Sequence, residues 1–308
     1  MTAPILRPID LPTGEIAVRG AFDLAAAAQC LVRPSRTGSA AVEAGVLHLA
    51  FPAEGSWTHA GAAVRQRSPG LVEVGVDAPV EIAAPVVAQV RRMLSLDIDE
   101  SGFAEAADGD SVVRRLRARY PGARPVLHST PYEAACWTVL NQGMREPRSA
   151  QLREQLAVRH GRKVGDEGLH SFPAPSILLE LAEEPSMGNF RLARLRAVAR
   201  AALAGRLDAD ELLSVPISEA TAQLASIPGI GAFSAEQILL HGAGHPDLFP
   251  RLDTHFHEML RKEYRLPEDV PPDQLERLAD SWRPYRSWAA HLFRLDALLR
   301  LAPAEPMD

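Results

Sequence analysis

The stretch from Leu224 to Leu260 constrains this chain more than any other, because it sets a glycine-dependent turn between two apolar helical patterns. It reads Leu224-Ala-Ser-Ile-Pro228-Gly229-Ile230-Gly231-Ala-Phe233-Ser234, continues as an apolar helix to His241, and is followed by Leu252-Asp253-Thr254-His255. Pro228 closes the first helix, and the glycines permit a tight turn that other backbone or a ligand can approach closely. Such a turn points the N–H groups of Gly229, Gly231 and the helix opening near Ser234 outward, where a phosphate oxygen binds without any basic side chain. Asp253 sits between apolar Leu252 and the helical pattern Phe256, Met259, Leu260. Taken alone, it is a helix N-cap, its carboxylate accepting the orphan N–H groups of the next helix.

With 308 residues, 46% of them hydrophobic, the chain is expected to form about two domains with ample core. Cys30 and Cys136 are too few for a disulfide framework, which points to a reducing, cytoplasmic setting. The segment Met1 to Pro8 lacks the basic-then-apolar pattern of a leader, and no apolar run approaches the roughly 18 residues of a membrane helix. A net charge of −6 argues against a general basic coat for nucleic acid. The charge is uneven, however: residues 1–110 hold 14 acidic and 8 basic side chains, while residues 111–308 hold 25 of each. A polyanion-binding surface therefore belongs to the second part of the chain.

Short alternating runs, Ile16 to Phe22, Gly45 to Phe51 and Leu71 to Val76, predict half-buried strands. Asp23 to Val32 and Ile82 to Leu96 predict two helices beside them. The amino-terminal part, residues 1–100, therefore reads as a small antiparallel sheet with two helices, an α+β packing unit without a catalytic constellation. Its lone histidines, His48 and His59, read as ordinary surface or core residues. Asp99 to Asp110 reads as an acidic linker. Beyond it strands disappear, and helices succeed one another from Ser111 to Leu301, with Pro121, Pro131, Pro147, Gly205 and Pro228 at their boundaries.

An Ile-Pro-Gly-Ile-Gly hairpin followed 25 residues after Pro228 by Leu-Asp-Thr-His (253 − 228) closely resembles the helix-hairpin-helix DNA glycosylases. The order of small β unit, helical body, hairpin, Asp and tail is similar to the bacterial DNA-3-methyladenine glycosylase II branch, over nearly the whole chain. Three local matches carry the resemblance: Tyr132-Glu-Ala-Ala-Cys-Trp137-Thr-Val-Leu-Asn-Gln142, Gly188-Asn-Phe190-Arg191-Leu-Ala-Arg194, and Trp282-Arg-Pro284-Tyr-Arg286-Ser287-Trp288-Ala. The resemblance implies an all-α helix-hairpin-helix glycosylase body over 101–308. A central subdomain over 126–245 would carry the hairpin at 224–241, and a second would combine 101–125 with 246–308. It also implies a monomer acting on damaged double-stranded DNA, with Asp253 catalytic, Gly229, Gly231, Ser234 and His255 on the DNA backbone, and Trp137, Phe233 and Phe293 around the base. No cysteine follows Cys136, so the iron–sulfur loop of some relatives is not expected. No cofactor is implied, although a monovalent cation at the hairpin is compatible with the family.

The implied reaction is hydrolysis of the N-glycosidic bond of a damaged, alkylated purine after the nucleotide has been flipped out of the duplex. Bifunctional relatives place a lysine two residues after the second hairpin glycine. This chain has Phe233 there, and its only lysines are Lys163 and Lys262, so water is the expected nucleophile and an abasic site the product. Phe233 reads equally as core or as a pocket wall. The sequence departs from the branch at Gly143, where an inserted leucine is expected and Gln142 or Met144 would have to fill the gap. It departs also at Gln237 and Arg294, where pocket aromatics are expected. Two other readings stay open: a DNA-binding protein that keeps the hairpin without catalysis, and a metal site from Asp253, His255 and His257.

Overall fold

The computed structural model describes residues 13–32, 39–165 and 168–301; the segment Met1 to Pro8 discussed above lies outside them. The amino-terminal part is a five-stranded antiparallel sheet of β1 (Thr13–Ala17), β2 (Ala40–Glu43), β3 (Val46–Pro52), β4 (His59–Ser68) and β5 (Leu71–Asp77), in the order β1-β5-β4-β3-β2. Val72, Val74 and Val76 alternate onto one face, where they meet Val64, Ala62 and the apolar sides of α1 (Leu24–Leu31) and α2 (Ala83–Met93). Asp23 caps α1 by accepting the N–H groups of Ala25 and Ala26.

Two expectations are corrected here. The stretch expected as a linker is α3 (Glu100–Asp108), followed by α4 (Ser111–Arg119). Two of its acidic residues are caps: Asp99 accepts from the Ser101 N–H, and Asp110 from those of Val112 and Val113. Phe103 and Ala107, one turn apart, bury one face of α3, and Gly102 is required because a Cβ there would lie 2.2 Å from the Tyr285 hydroxyl. Strands also return within the helical part.

That part consists of α5 (Pro131–Asn141), α6 (Glu146–His160), the hairpin of β6 (Arg162–Val164) and β7 (Leu169–Ser171), α7 (Pro175–Glu180), α8 (Asn189–Leu203), α9 (Ala209–Ser214), α10 (Ile217–Ala225), α11 (Ala232–Ile238), α12 (Thr254–Tyr264), α13 (Pro272–Leu278) and α14 (Arg286–Leu301). Val164 and Leu169 of the small hairpin pack on Ala50 of the sheet, so these strands fasten the helical body to the amino-terminal layer.

The helices enclose two apolar cores. One gathers α5, α6, α8, α10 and α11 around Tyr132, Leu140, Leu195 and Ile238. The other gathers α3, α4, α12 and α14 around Phe103, Phe256, Trp282, Trp288 and Phe293. Arg124, 2% exposed, joins the layers by donating to the carbonyls of Ala21, Ser95 and Ile98, and Glu54 of the sheet layer accepts the Ala209 N–H at the start of α9. Asp110 accepts from the Tyr264 hydroxyl and the Trp282 indole, tying α4 to the carboxy-terminal helices. No helix among the described residues is long and apolar enough to cross a membrane.

Candidate functional site

The glycine-rich turn joins α10 to α11. Gly229 has φ +95°, and a Cβ on it would come within 2.7 Å of the Arg194 side chain, so glycine is required there by both backbone and space. Gly231 differs: its backbone is extended (φ −88°, ψ 175°) and the space beside it is open. It caps α11 without a side-chain acceptor, leaving the first-turn N–H groups of α11 to an external partner. The helix continues through a wide π-type turn, Leu239–Ala243, and stops at Gly244.

Gln142, at the end of α5, is bonded to this turn. Its Nε2 donates to the Gly229 carbonyl at 2.7 Å, and its Oε1 accepts from Arg194. Arg191 donates to the Gln142 carbonyl at 2.6 Å. Arg194 stacks 4.1 Å over the ring of Phe190, which is 71% exposed. The helix opened at Gly188 therefore supplies two arginines that clamp the end of α5 against the hairpin.

Asp253 caps α12. One carboxylate oxygen accepts the Phe256 N–H at 3.0 Å and the other accepts from Arg294 of α14 at 2.8 Å. Burial pushes this carboxyl up, but the Arg294 guanidinium, the Phe256 N–H and nearby His255 outweigh it and hold the group below its ordinary range. The capping reading and the paired-carboxylate reading are thus both true, and together they fix the carboxylate in space.

The connection that delivers Asp253 is held at both ends. Ser287 donates to the His245 carbonyl and accepts the Leu248 N–H, while Arg286 grips the Asp247 carboxylate. The Trp282–Ala289 motif in the tail thereby anchors the loop leaving the hairpin. At the other end, Glu236 of α11 accepts the Leu252 N–H at 3.0 Å. Burial and the neighbouring Asp253 raise the Glu236 carboxyl, although the Leu252 N–H opposes them. The residue before Asp253 is thus bonded to the second helix of the hairpin.

Between α5 and α11 lies a cavity of about 470 Å³, within the roughly 300–1,000 Å³ range of small-molecule pockets. It brings together Trp137, Gln142, Phe233 and Ser234 from the sequence-derived set, and adds Gln237 and His241. His241 also borders a smaller cleft lined by Arg294, the ion-pair partner of Asp253; Asp253 itself lines neither cavity.

Other expected residues lie elsewhere. Phe293 is 2% exposed and packs edge-on against Phe256 and beside Trp282 in the carboxy-terminal core. One residue along a helix turns the side chain by about 100°, so it is Arg294 that faces Asp253. Met144 is half-buried against the core. With Gln142 engaged at the hairpin, Gly143 (φ +68°) is left at the open tip of the turn. His255 is exposed, whereas His257 is buried, bonded to the Pro250 carbonyl and stacked on Phe249. The two histidines point apart, and no group of residues able to hold a metal ion is found among the described residues. Sequence reasoning missed Glu236 as the residue that tethers Asp253, and saw Arg294 only as a missing aromatic.

No protein-family model matches the chain. A probable bifunctional transcriptional activator/DNA repair enzyme AlkA of Mycobacterium tuberculosis is 31% identical over 212 residues, which is 67% of this chain but 42% of that protein. The chain therefore spans about two fifths of the length of that curated relative. DNA-3-methyladenine glycosylase 2 of Escherichia coli is 27% identical over 220 residues, covering 68% of this chain and 70% of the relative. The solved structure of a 3-methyladenine DNA glycosylase from Archaeoglobus fulgidus superposes with a TM-score of 0.74 at 21% identity, covering 94% of this chain and 100% of that one.

With its sheet layer, twin helical cores, glycine hairpin and capped Asp, the chain resembles the helix-hairpin-helix DNA glycosylases. Among these it resembles bacterial DNA-3-methyladenine glycosylase II.

Proposed function

We propose that the chain is a monofunctional DNA glycosylase that excises damaged purines, alkylated ones among them, from double-stranded DNA and leaves an abasic site. The observation that carries this reading is the placement of Asp253, whose carboxylate is ionised and fixed by two partners, on a segment bonded to the hairpin helix that walls the cavity. The amides of Gly229 and Gly231 and the first turn of α11, with Ser234, hold a phosphate beside the lesion. The damaged nucleotide rotates out of the stack and its base enters the cavity between Trp137 and Phe233.

As the N-glycosidic bond breaks, its electron pair leaves with the base and positive charge develops on the sugar, where the Asp253 carboxylate stabilises it. Water adds to the anomeric carbon, and its proton passes through Asp253 to solvent. Phe233 at the position of the lyase lysine supports the absence of strand nicking, because no amine stands there to form a Schiff base. The scheme uses no cofactor and one copy of the chain, acting in the cytoplasm.

The test is chromatography of free bases released from damaged duplex DNA, with borohydride trapping alongside. Released base without a trapped protein–DNA adduct is expected; an adduct contradicts the monofunctional reading. One observation favours a second reading, a DNA-binding protein impaired in catalysis: Arg294 already occupies one oxygen of Asp253. Retarded migration of damaged duplex without any base release would support it.

A further inference from the structure

Gln237 stands in the cavity wall one residue after Glu236, the tether of Asp253. Its Nε2 is shielded from solvent and has no hydrogen-bond partner. Buried polar groups in folded proteins are nearly always paired, so an unpaired amide beside a ligand-sized cavity asks for a partner that arrives with the ligand. The last torsion of a glutamine side chain is soft, and a small turn of the carboxamide presents its N–H to an acceptor in the cavity.

The surroundings have the same bias. A cationic base is stabilised by aromatic faces, but of the two aromatic residues in this wall Phe233 is 49% exposed, so water weakens its contribution. In the neighbouring cleft, Arg294 offsets the charge of Asp253, which leaves less negative charge nearby to attract a positive base. Glu146 at the rim is the one anionic residue of the lining, and it is exposed to screening solvent.

Building on the glycosylase reading, we propose that Gln237 determines specificity, its carboxamide donating a hydrogen bond to the flipped base. The site thereby favours neutral purine lesions with an acceptor at the 6-position over cationic N-alkylated ones. Hypoxanthine and 1,N6-ethenoadenine are of the first kind, and 3-methyladenine in DNA is of the second.

The experiment measures single-turnover release of hypoxanthine and 1,N6-ethenoadenine from defined duplexes, and of 3-methyladenine from dimethyl-sulfate-treated DNA, by the wild type, Gln237→Leu and Gln237→Glu. Leucine keeps the volume and removes the donor, so release of the neutral bases is expected to fall about tenfold while 3-methyladenine release does not fall. Glutamate is expected to move the ratio further toward the cationic base. Thermal melting of both variants separates these outcomes from misfolding, which would lower all three rates together. Rates that fall equally, or a ratio that does not move, overturn the proposal while leaving the glycosylase reading intact. Failure of the wild type to release any base overturns both.

Discussion

Arg294 and Asp253, 41 positions apart in the chain, form an ion pair at 2.8 Å in which the same carboxylate also caps α12. The arginine does for the carboxylate what solvent cannot do in a half-buried place, keeping it charged at neutral pH. Because the folded-state group lies below its ordinary range, its contribution to stability is fully present above the unfolded carboxylate value of about 3.9. That contribution is lost as pH falls through the lower folded value.

Replacing Arg294 with Met leaves Asp253 half-buried with one partner, the Phe256 N–H. Stability at neutral pH is expected to fall by about 1–3 kcal/mol, between the limits for exposed and buried pairs. Desolvation then dominates and raises the Asp253 carboxyl, so the acid limb of kcat/KM shifts to higher pH. Urea unfolding and a pH–rate profile check both effects. An unmoved acid limb would mean that Arg294 does not hold the charge state of Asp253.

Glu236 acts through the Leu252 N–H. Gln retains a carbonyl acceptor at that position and is expected to preserve activity, whereas Glu236→Leu leaves the N–H unpaired and lets Asp253 drift. The expected loss for Leu is about tenfold in kcat with KM little changed, read by steady-state kinetics on one damaged duplex. A loss confined to KM would contradict a positioning role.

The hairpin glycines are predicted to differ. Gly229→Ala must accept positive φ and displace the stem of Arg194, at a cost of about 1–2 kcal/mol and with release of Gln142 from the turn. Gly231→Ala meets open space in an extended backbone and should leave the melting temperature within the scatter of surface substitutions. Its effect is expected in DNA affinity instead, because the added methyl stands where a phosphate would approach. Parallel melting curves and duplex titrations distinguish the two.

The parts legible in the sequence are those governed by local chemistry. Pro228, Gly229 and Gly231 announce a turn between helices, and Asp253 announces a helix start, since each acts on its own neighbours. Pairings over distance leave no such mark: nothing local joins Arg294 to Asp253 or Glu236 to Leu252. Strand β4 was not anticipated because His59 to Val64 is rich in small residues and gives little alternation, and its strand character comes from pairing with β3 and β5 on both sides. Helix α3 was hidden by Gly102 and the acidic residues around it, whose reasons are the approach of Tyr285 and the capping of two helices. The neighbourhood of Phe293 points to the base pocket, but the helix phase turns Phe293 into the carboxy-terminal core and Arg294 toward Asp253.

The central claim is that Asp253 drives hydrolytic base excision without strand cleavage, and alkali-resolved single-turnover cleavage tests it most directly. Duplexes carrying hypoxanthine, 1,N6-ethenoadenine or alkylated purines are incubated with excess wild type or Asp253→Asn, and each sample is split between hot alkali and neutral buffer. The account predicts strand breaks in the wild type after alkali alone, and a loss of at least about a hundredfold in the variant with folding and DNA binding retained. Breaks in neutral buffer, or an Asp253→Asn protein as active as the wild type, would contradict it.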